Sequence, residues 1–419
     1  MKRTLTSLSV LALSAAPAFA VEKTDVVATY IDIAQATYGD ALTTAQTLDA
    51  AVADLIANPS QDTLEAARSA WLAARVPYQQ SEVFRFGNPV VDDWEGKVNA
   101  WPLDEGLIDY VDASYGGATD ENSFAALNVI ATPTFTLSGT EVDATDITPD
   151  LIANTLQEAD GVEANVASGY HAIEFLLWGQ DLNGTDAGAG DRPYTDYATG
   201  ADCTNGNCDR RGDYLQAATD LLVFDLEYMV AQWEDDGEAA VTLSDDPDAA
   251  ITAMLTGMGS LSYGEQAGER MRLGLMLNDP EEEHDCFSDN TYNSHYYDGK
   301  GVQNVYLGSY TRVDGTEVSG PSLEDLLAET DAQTAEDLAT AIDDTMVALG
   351  EMKTAAENGM AYDQMLAAGN AEGEAYITAG IEGLIAQTRV IERAVASLGA
   401  QDVMIEGSDS LDNPDAVFE

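Results

Sequence analysis

The chain has 419 residues, 45% of them hydrophobic, enough for real cores; because single cores stop growing near ~250–300 residues, two domains are the prior. Its 75 Asp and Glu stand against 17 Lys and Arg, a formal net charge of −58. Such a surface repels nucleic acid and anionic lipid and draws cations, and it also suits a solvated surface in salty surroundings.

The first twenty residues read as a secretory signal peptide. Lys2 and Arg3 form a basic start, Leu5 to Ala15 an apolar core, and Ala18-Phe19-Ala20 a cleavage site. Cleavage leaves Val21 first, where a lipoprotein would need Cys, so a free, exported, periplasmic protein is expected. No later segment approaches ~18 uninterrupted apolar residues, so no membrane span is expected.

Residues 25–57 carry Val26, Tyr30, Ile33, Tyr38, Leu48, Val52 and Leu55 at helical steps. Asn58-Pro59-Ser60 breaks this helix, and Ser60 is placed to cap the next, whose register runs Leu64, Ala67, Trp71, Ala74, Tyr78. So short a link predicts an antiparallel pair. Arg85 to Gly96 reads as irregular, 107–111 as a short helical turn, and 149–178 as helix interrupted near Gly161. Strand signals are few: 134–137, and 302–307 within a loop that spans 278–319. Helical register returns at 214–233, 249–277, 322–358 and 373–398, and an acidic, mobile tail follows from Gln401.

The expected fold is all-α, with two helical-bundle halves joined and interrupted by long loops. The N-terminal bundle covers 21–180, a linker loop 181–212, the C-terminal bundle 213–400 and the tail 401–419. Trp71 to Glu82 and Leu384 to Glu392 share a weak pattern that hints at duplication of one bundle. Of the three cysteines, Cys203 and Cys208 end a turn-rich loop that can close on itself and leave Cys286 free; pairing of Cys286 with either stays open.

The chain has only three histidines. His171 stands three residues before Glu174 in Gly169-Tyr170-His171-Ala172-Ile173-Glu174, and on a helix the two share a face. An imidazole and a carboxylate there can both reach one cation, or can simply bond each other; Gly169 permits close approach of a backbone or ligand. His284 and His295 lie in the second long loop, among Glu283, Asp285 and Asp289, at spacings that suit metal contact. Carboxylates beside rigid groups occur at Glu82, before Phe84-Arg85-Phe86-Gly87, and at Asp104 and Glu105, after Trp101-Pro102. Glu265 and Glu269 stand beside the Gly264/Gly268 stripe and before Arg270, where close helix packing is the competing reading. The zinc-peptidase patterns H-E-x-x-H and H-x-x-E-H are absent, as are a phosphate loop, a nucleophile elbow and a CxxC pair.

Gly169 to Glu174 resembles the G-x-H-x-x-E signature of the imelysin family, once described as insulin-cleaving metallopeptidases. Ala70-Trp71 to Gly87 and Trp101-Pro102-Leu103-Asp104-Glu105 resemble further segments of that family. Gly264 to Met271 and Glu283 to Tyr310 resemble its iron-regulated subgroup. The likeness covers nearly the whole mature chain. It implies an all-α fold of two bundle-like halves, with the signature near their junction, and a link to iron uptake or iron response in bacterial envelopes.

Two readings of function follow. In the first, a periplasmic protein binds a metal ion, iron before zinc, or a small iron-containing ligand. His171, Glu174 and Glu82 are then the expected ligands, with Glu105 or Glu269 completing an oxygen-rich shell. Arg85, Asp104, Glu265, Arg270, His284 and His295 are expected to line the site. In the second, the same metal activates water in an envelope metallopeptidase, with Glu174 the candidate base. The first is favoured because no complete catalytic metal set is visible. A docking module that meets another envelope protein is a third reading.

Overall fold

A computed structural model describes residues 20–119 and 122–418. The expected signal peptide lies outside the described residues, apart from Ala20. Among those described, no helix is long and apolar enough to cross a membrane.

Two long helices open the fold, α1 (Lys23–Ala57) and α2 (Gln61–Ser81). Ser60 caps α2, its side chain accepting from Thr63 N, as the break sequence predicts. The pair packs antiparallel along the apolar stripe of α1, with Tyr30, Tyr38 and Leu48 against Trp71 and Tyr78 in one core. The segment expected to be irregular contains a short helix, α3 (Pro89–Glu95), started by Pro89 at a position that needs no N–H. The strand β1 (Thr134–Leu137) forms where expected and pairs with β2 (Thr140–Asp143) in an antiparallel hairpin.

After the single turn α4 (Pro149–Leu151) comes α5 (Gly169–Trp178), every residue of which is buried. The long loop that follows is anchored by ions. Arg192 and Arg211 both reach the buried Asp109, at 2.7 and 2.6 Å. A disulfide joins Cys203 to Cys208, and Cys286 is free.

Helix α6 (Cys208–Gln232) packs on α1 and α5, followed by α7 (Glu238–Asp245). The stretch from α8 (Pro247–Ser260) to α9 (Leu273–Leu277) is one continuous rod, widened to π-helical turns over Leu261–Arg272. Such widening recurs at functional sites. Its Gly264 and Gly268 face the C-terminal segment: a Cβ there would meet Glu406 O at 2.7 Å and Ser408 Cβ at 2.3 Å. The close packing expected of this stripe is therefore with the tail. Ser410 Oγ donates to Gly268 O, which fastens a segment that composition alone reads as mobile.

The largest departure from expectation is α10 (Thr291–Leu307), a helix where the sequence reads as loop with a strand at 302–307. Its inward face is polar and small, with Ser294, His295, Asp298, Gly299 and Gly301 buried. Helical periodicity in apolar residues is thus missing from its first half and is confined to Val302, Val305 and Tyr306 at its end, and tertiary packing on α2 and α11 decides the conformation. A second hairpin, β3 (Ser309–Thr311) with β4 (Glu317–Ser319), follows. The long helices α11 (Leu323–Glu357) and α13 (Ala371–Leu398) flank the short α12 (Tyr362–Leu366), and α14 (Asp409–Asp412) lies in the tail. The fold is predominantly helical, with two small hairpins.

Candidate metal centre

Helix α5 begins under constraint. Gly169 has φ +80°, and a Cβ on it would meet Val98 O at 2.4 Å, so only glycine lets the helix start press on that strand of backbone. Tyr170 N donates to Val98 O at 2.7 Å, and Trp71 Nε1 donates to Tyr170 O at 2.9 Å. The first turn is thereby fixed from two sides, and the next residue is His171.

His171 and Glu174 share one face of α5, Nδ1 lying 3.1 Å from Glu174 Oε2. The other oxygen of Glu174 accepts from Ser288 N at 2.9 Å and Ser288 Oγ at 2.6 Å. Ser288 belongs to the loop between α9 and α10, so Glu174 ties that loop to α5. The same loop brings His284 against His171, with ring centroids 4.8 Å apart, and places Asp285 Oδ1 3.9 Å from His171 Nδ1. One ligand atom each of His171, His284 and Asp285 falls within 4.8 Å of the other two, and all three residues are buried.

The surrounding side chains orient this group. Arg75 donates to Asp285 Oδ1 at 2.7 Å and to Asn99 Oδ1 at 2.7 Å. Asn290 donates to Asp285 Oδ2 at 2.8 Å, and Ser294 Oγ bonds the same oxygen. Trp101 meets the His284 ring edge-on. His171 Nε2 and His284 Nδ1, in contrast, are buried and have no hydrogen-bond partner. An orphaned buried nitrogen is costly, and two of them beside a carboxylate fit a cation.

The electrostatics agree. Burial, with the Arg75 charge, lowers His171 to about 3, and burial with nearby cationic groups holds His284 well below the imidazole range. Both rings are therefore neutral and keep a lone pair for a metal. Burial and the Asp285 charge push Glu174 well above the usual carboxylate range. Burial opposes the Asp285 charge, but Arg75 prevails and holds that carboxyl below its usual value. Two imidazoles and one carboxylate match the donor set of non-haem Fe(II) sites and other borderline cations. Glu174 stands where carboxylates orient a metal-bound imidazole through its other nitrogen.

The remaining sequence candidates fall into other groups. Glu82 is not one of the three grouped ligands, its carboxylate lying 2.8 Å from Arg270. Arg270, on the π-helical segment, also reaches Glu265 at 2.8 Å and Asp298 at 3.2 Å. Arg85 lies 3.7 Å from Glu265 and from Glu95. Glu269 is exposed. A cleft of about 610 Å³, lined by Arg85, Glu265, Glu269 and Arg270, reaches His284 but neither His171 nor Asp285. His295 is buried against Tyr362 on α10, with both ring nitrogens unpartnered, outside the His171 group. Asp104 accepts from Tyr115 Oη at 2.9 Å, and Glu105 is buried at the start of a short turn.

The sequence assigns His171, Glu174 and His284 to one site and marks Asp285 only as one of several loop residues suited to metal contact, while Arg75, Asn99 and Ser288 carry no signal. Asp285 was the most accessible of these, since it follows His284 directly. A groove of about 900 Å³ between Lys23, Asp248 and the 399–406 segment is lined by none of these residues.

A structure described as an iron-regulated protein A precursor from Parabacteroides distasonis ATCC 8503 is similar to the chain. Its TM-score is 0.64 at 19% identity, over 90% of this chain and 95% of that one. An imelysin-like protein from Psychrobacter arcticum 273-4 is similar with TM-score 0.57 at 16% identity, over 91% and 98%. At such identities the likeness speaks for the fold. No curated protein matches the chain. The Imelysin family model matches residues 34–391, and the chain belongs to the imelysin family.

Proposed function

We propose that this is an exported metal-binding protein of the cell envelope, with iron its preferred cargo and His171, His284 and Asp285 its ligands. Glu174 holds His171 through Nδ1 and leaves Nε2 for the metal. The observation that carries this reading is the pair of unpartnered, buried imidazole nitrogens beside a buried carboxylate. Bound iron would supply a Lewis-acidic, redox-active centre. The chain's own part is to keep both rings neutral, exclude bulk water and offer a ready carboxylate. The acidic surface raises the local cation concentration, and the cleft at His284 gives an entry path. Iron-linked biology is also the sense of the name carried by the Parabacteroides relative, and the basic-apolar N-terminus supports export.

Binding is favoured over peptide hydrolysis for a geometric reason. A metallopeptidase needs a carboxylate off the metal that is turned toward the metal-bound water and can take its proton. Glu174, the nearest carboxylate beyond Asp285, has one oxygen on His171 and the other on Ser288. Metal analysis of the purified mature protein tests the proposal. Wild type should carry or take up iron, and His171→Ala, purified in parallel, should not. Equal metal content in the two, with the fold intact, would reject it.

A further inference from the structure

A second group of oxygen donors meets at the loop that carries His284. Asp181 follows α5, Asp289 stands in that loop, and Asp363 lies in the first turn of α12. One carboxylate oxygen of each falls within 4.8 Å of the other two. Atoms bonded to one calcium-sized ion at about 2.4 Å are at most ~4.8 Å apart, so this is the spacing of ligands that share a hard cation.

In a chain of net charge −58, proximity of acidic groups means little by itself. Asp363 supplies the independent observation. It is 1% exposed, and neither carboxylate oxygen has a side-chain partner; only the backbone N–H groups of its own turn, at Asp363 and Gln364, approach it. A buried carboxylate so poorly satisfied is costly unless it takes up a proton or a cation compensates it, and two further carboxylates within reach favour the cation. Asp289 Oδ1 is buried and unpaired as well.

We propose that Asp181, Asp289 and Asp363 form a second cation site, separate from the His171 centre, that takes a hard divalent cation of the calcium type. The donors are all oxygens, which favours calcium or magnesium over iron or zinc. They come from three segments, two of them irregular, and that suits the adaptable coordination of calcium better than the strict octahedron of magnesium. The cation would pin the loop bearing His284 and Asp285 to α12 and to the segment after α5. It is thus a structural clamp on the loop that supplies the neighbouring centre.

The test uses the full mature chain, stripped with chelator and held at fixed high sodium chloride so that diffuse counterions are screened. Calcium is titrated while the melting temperature and the heat of binding are followed. A saturable rise is expected, half complete near ~0.1–1 mM, the range of extracellular calcium modules. Asp363→Asn and, independently, Asp289→Asn should weaken calcium by roughly tenfold or more, as loss of a charged ligand does. Both variants remove like-charge repulsion, so the stripped protein should fold at least as well as wild type. His171→Ala should leave the calcium response unchanged. A non-saturable response in wild type, or an equal response in both Asp variants, would overturn the site. Loss of the response in His171→Ala would assign it to the other centre, and an equal response to magnesium would overturn the calcium assignment.

Discussion

His171 and His284 stand ring against ring, 4.8 Å between centroids, one from a buried helix and the other from a loop more than a hundred residues later. Each keeps one nitrogen without a partner. Two neutral, buried imidazoles in contact have little to offer each other, since neither carries a charge and neither bonds the other. Their arrangement makes sense as a pair of ligands.

Glu174→Gln separates orientation from ligation. The carboxyl is pushed well above its ordinary range by burial and by Asp285, so a neutral amide of the same shape should leave the melting temperature of metal-free protein nearly unchanged. Metal affinity should still fall by about 10–100-fold, the usual cost of losing a carboxylate behind a metal-bound histidine. Isothermal titration of the two proteins checks this; equal affinities would mean that the pair on α5 is only packing.

Arg75→Met addresses the charge balance. Arg75 and Asp285 are each about 1% or less exposed and meet at 2.7 Å. Removing the guanidinium leaves a buried carboxylate unpaired, a loss of about 3–5 kcal/mol in the metal-free protein. A bound cation replaces the missing charge, so urea unfolding should show a smaller loss with metal than without. An identical loss in both states would separate Asp285 from the metal.

Asp225 gives a pH signature away from the centre. It is buried on α6, and desolvation, partly offset by Lys97, raises its carboxyl to about 6 from 3.8. The folded state therefore holds this proton where the unfolded chain has released it. With more protons bound when folded, stability falls as pH rises from about 3.8 to about 6, and stays lower above that. Asp225→Asn should thus gain stability at pH 7.5, on the order of 1–3 kcal/mol, and gain little at pH 3.5. A gain that is the same at both pH values would contradict this origin.

What the sequence discloses depends on which force sets each element. Helices α1, α2, α11 and α13 bury apolar stripes, and their periodicity is legible in residues such as Tyr30, Ile33, Leu338 and Ile391. Helix α10 is not legible, because the first half of its buried face is made of Ser294, His295 and Asp298, Gly301 sits against the Gln80 backbone, and the apolar Val302, Val305 and Tyr306 form too short a run to mark a helix. The same contrast holds at the centre. The His171/Glu174 spacing is local and readable from helical geometry. The approach of Asp285, Asn99 and Arg75 is a product of tertiary packing across 210 positions, and local spacing carries no trace of it.

The most direct measurement is an anaerobic Fe(II) titration of the mature protein, with calcium present at saturation and bound iron counted per chain. Wild type should take one tightly held iron, His171→Ala and His284→Ala should each lose it, and Glu82→Gln, whose carboxylate lies on Arg270, should keep it. Retention of that iron by His284→Ala, or its loss in Glu82→Gln with the fold intact, would contradict the assignment of the centre to His171, His284 and Asp285.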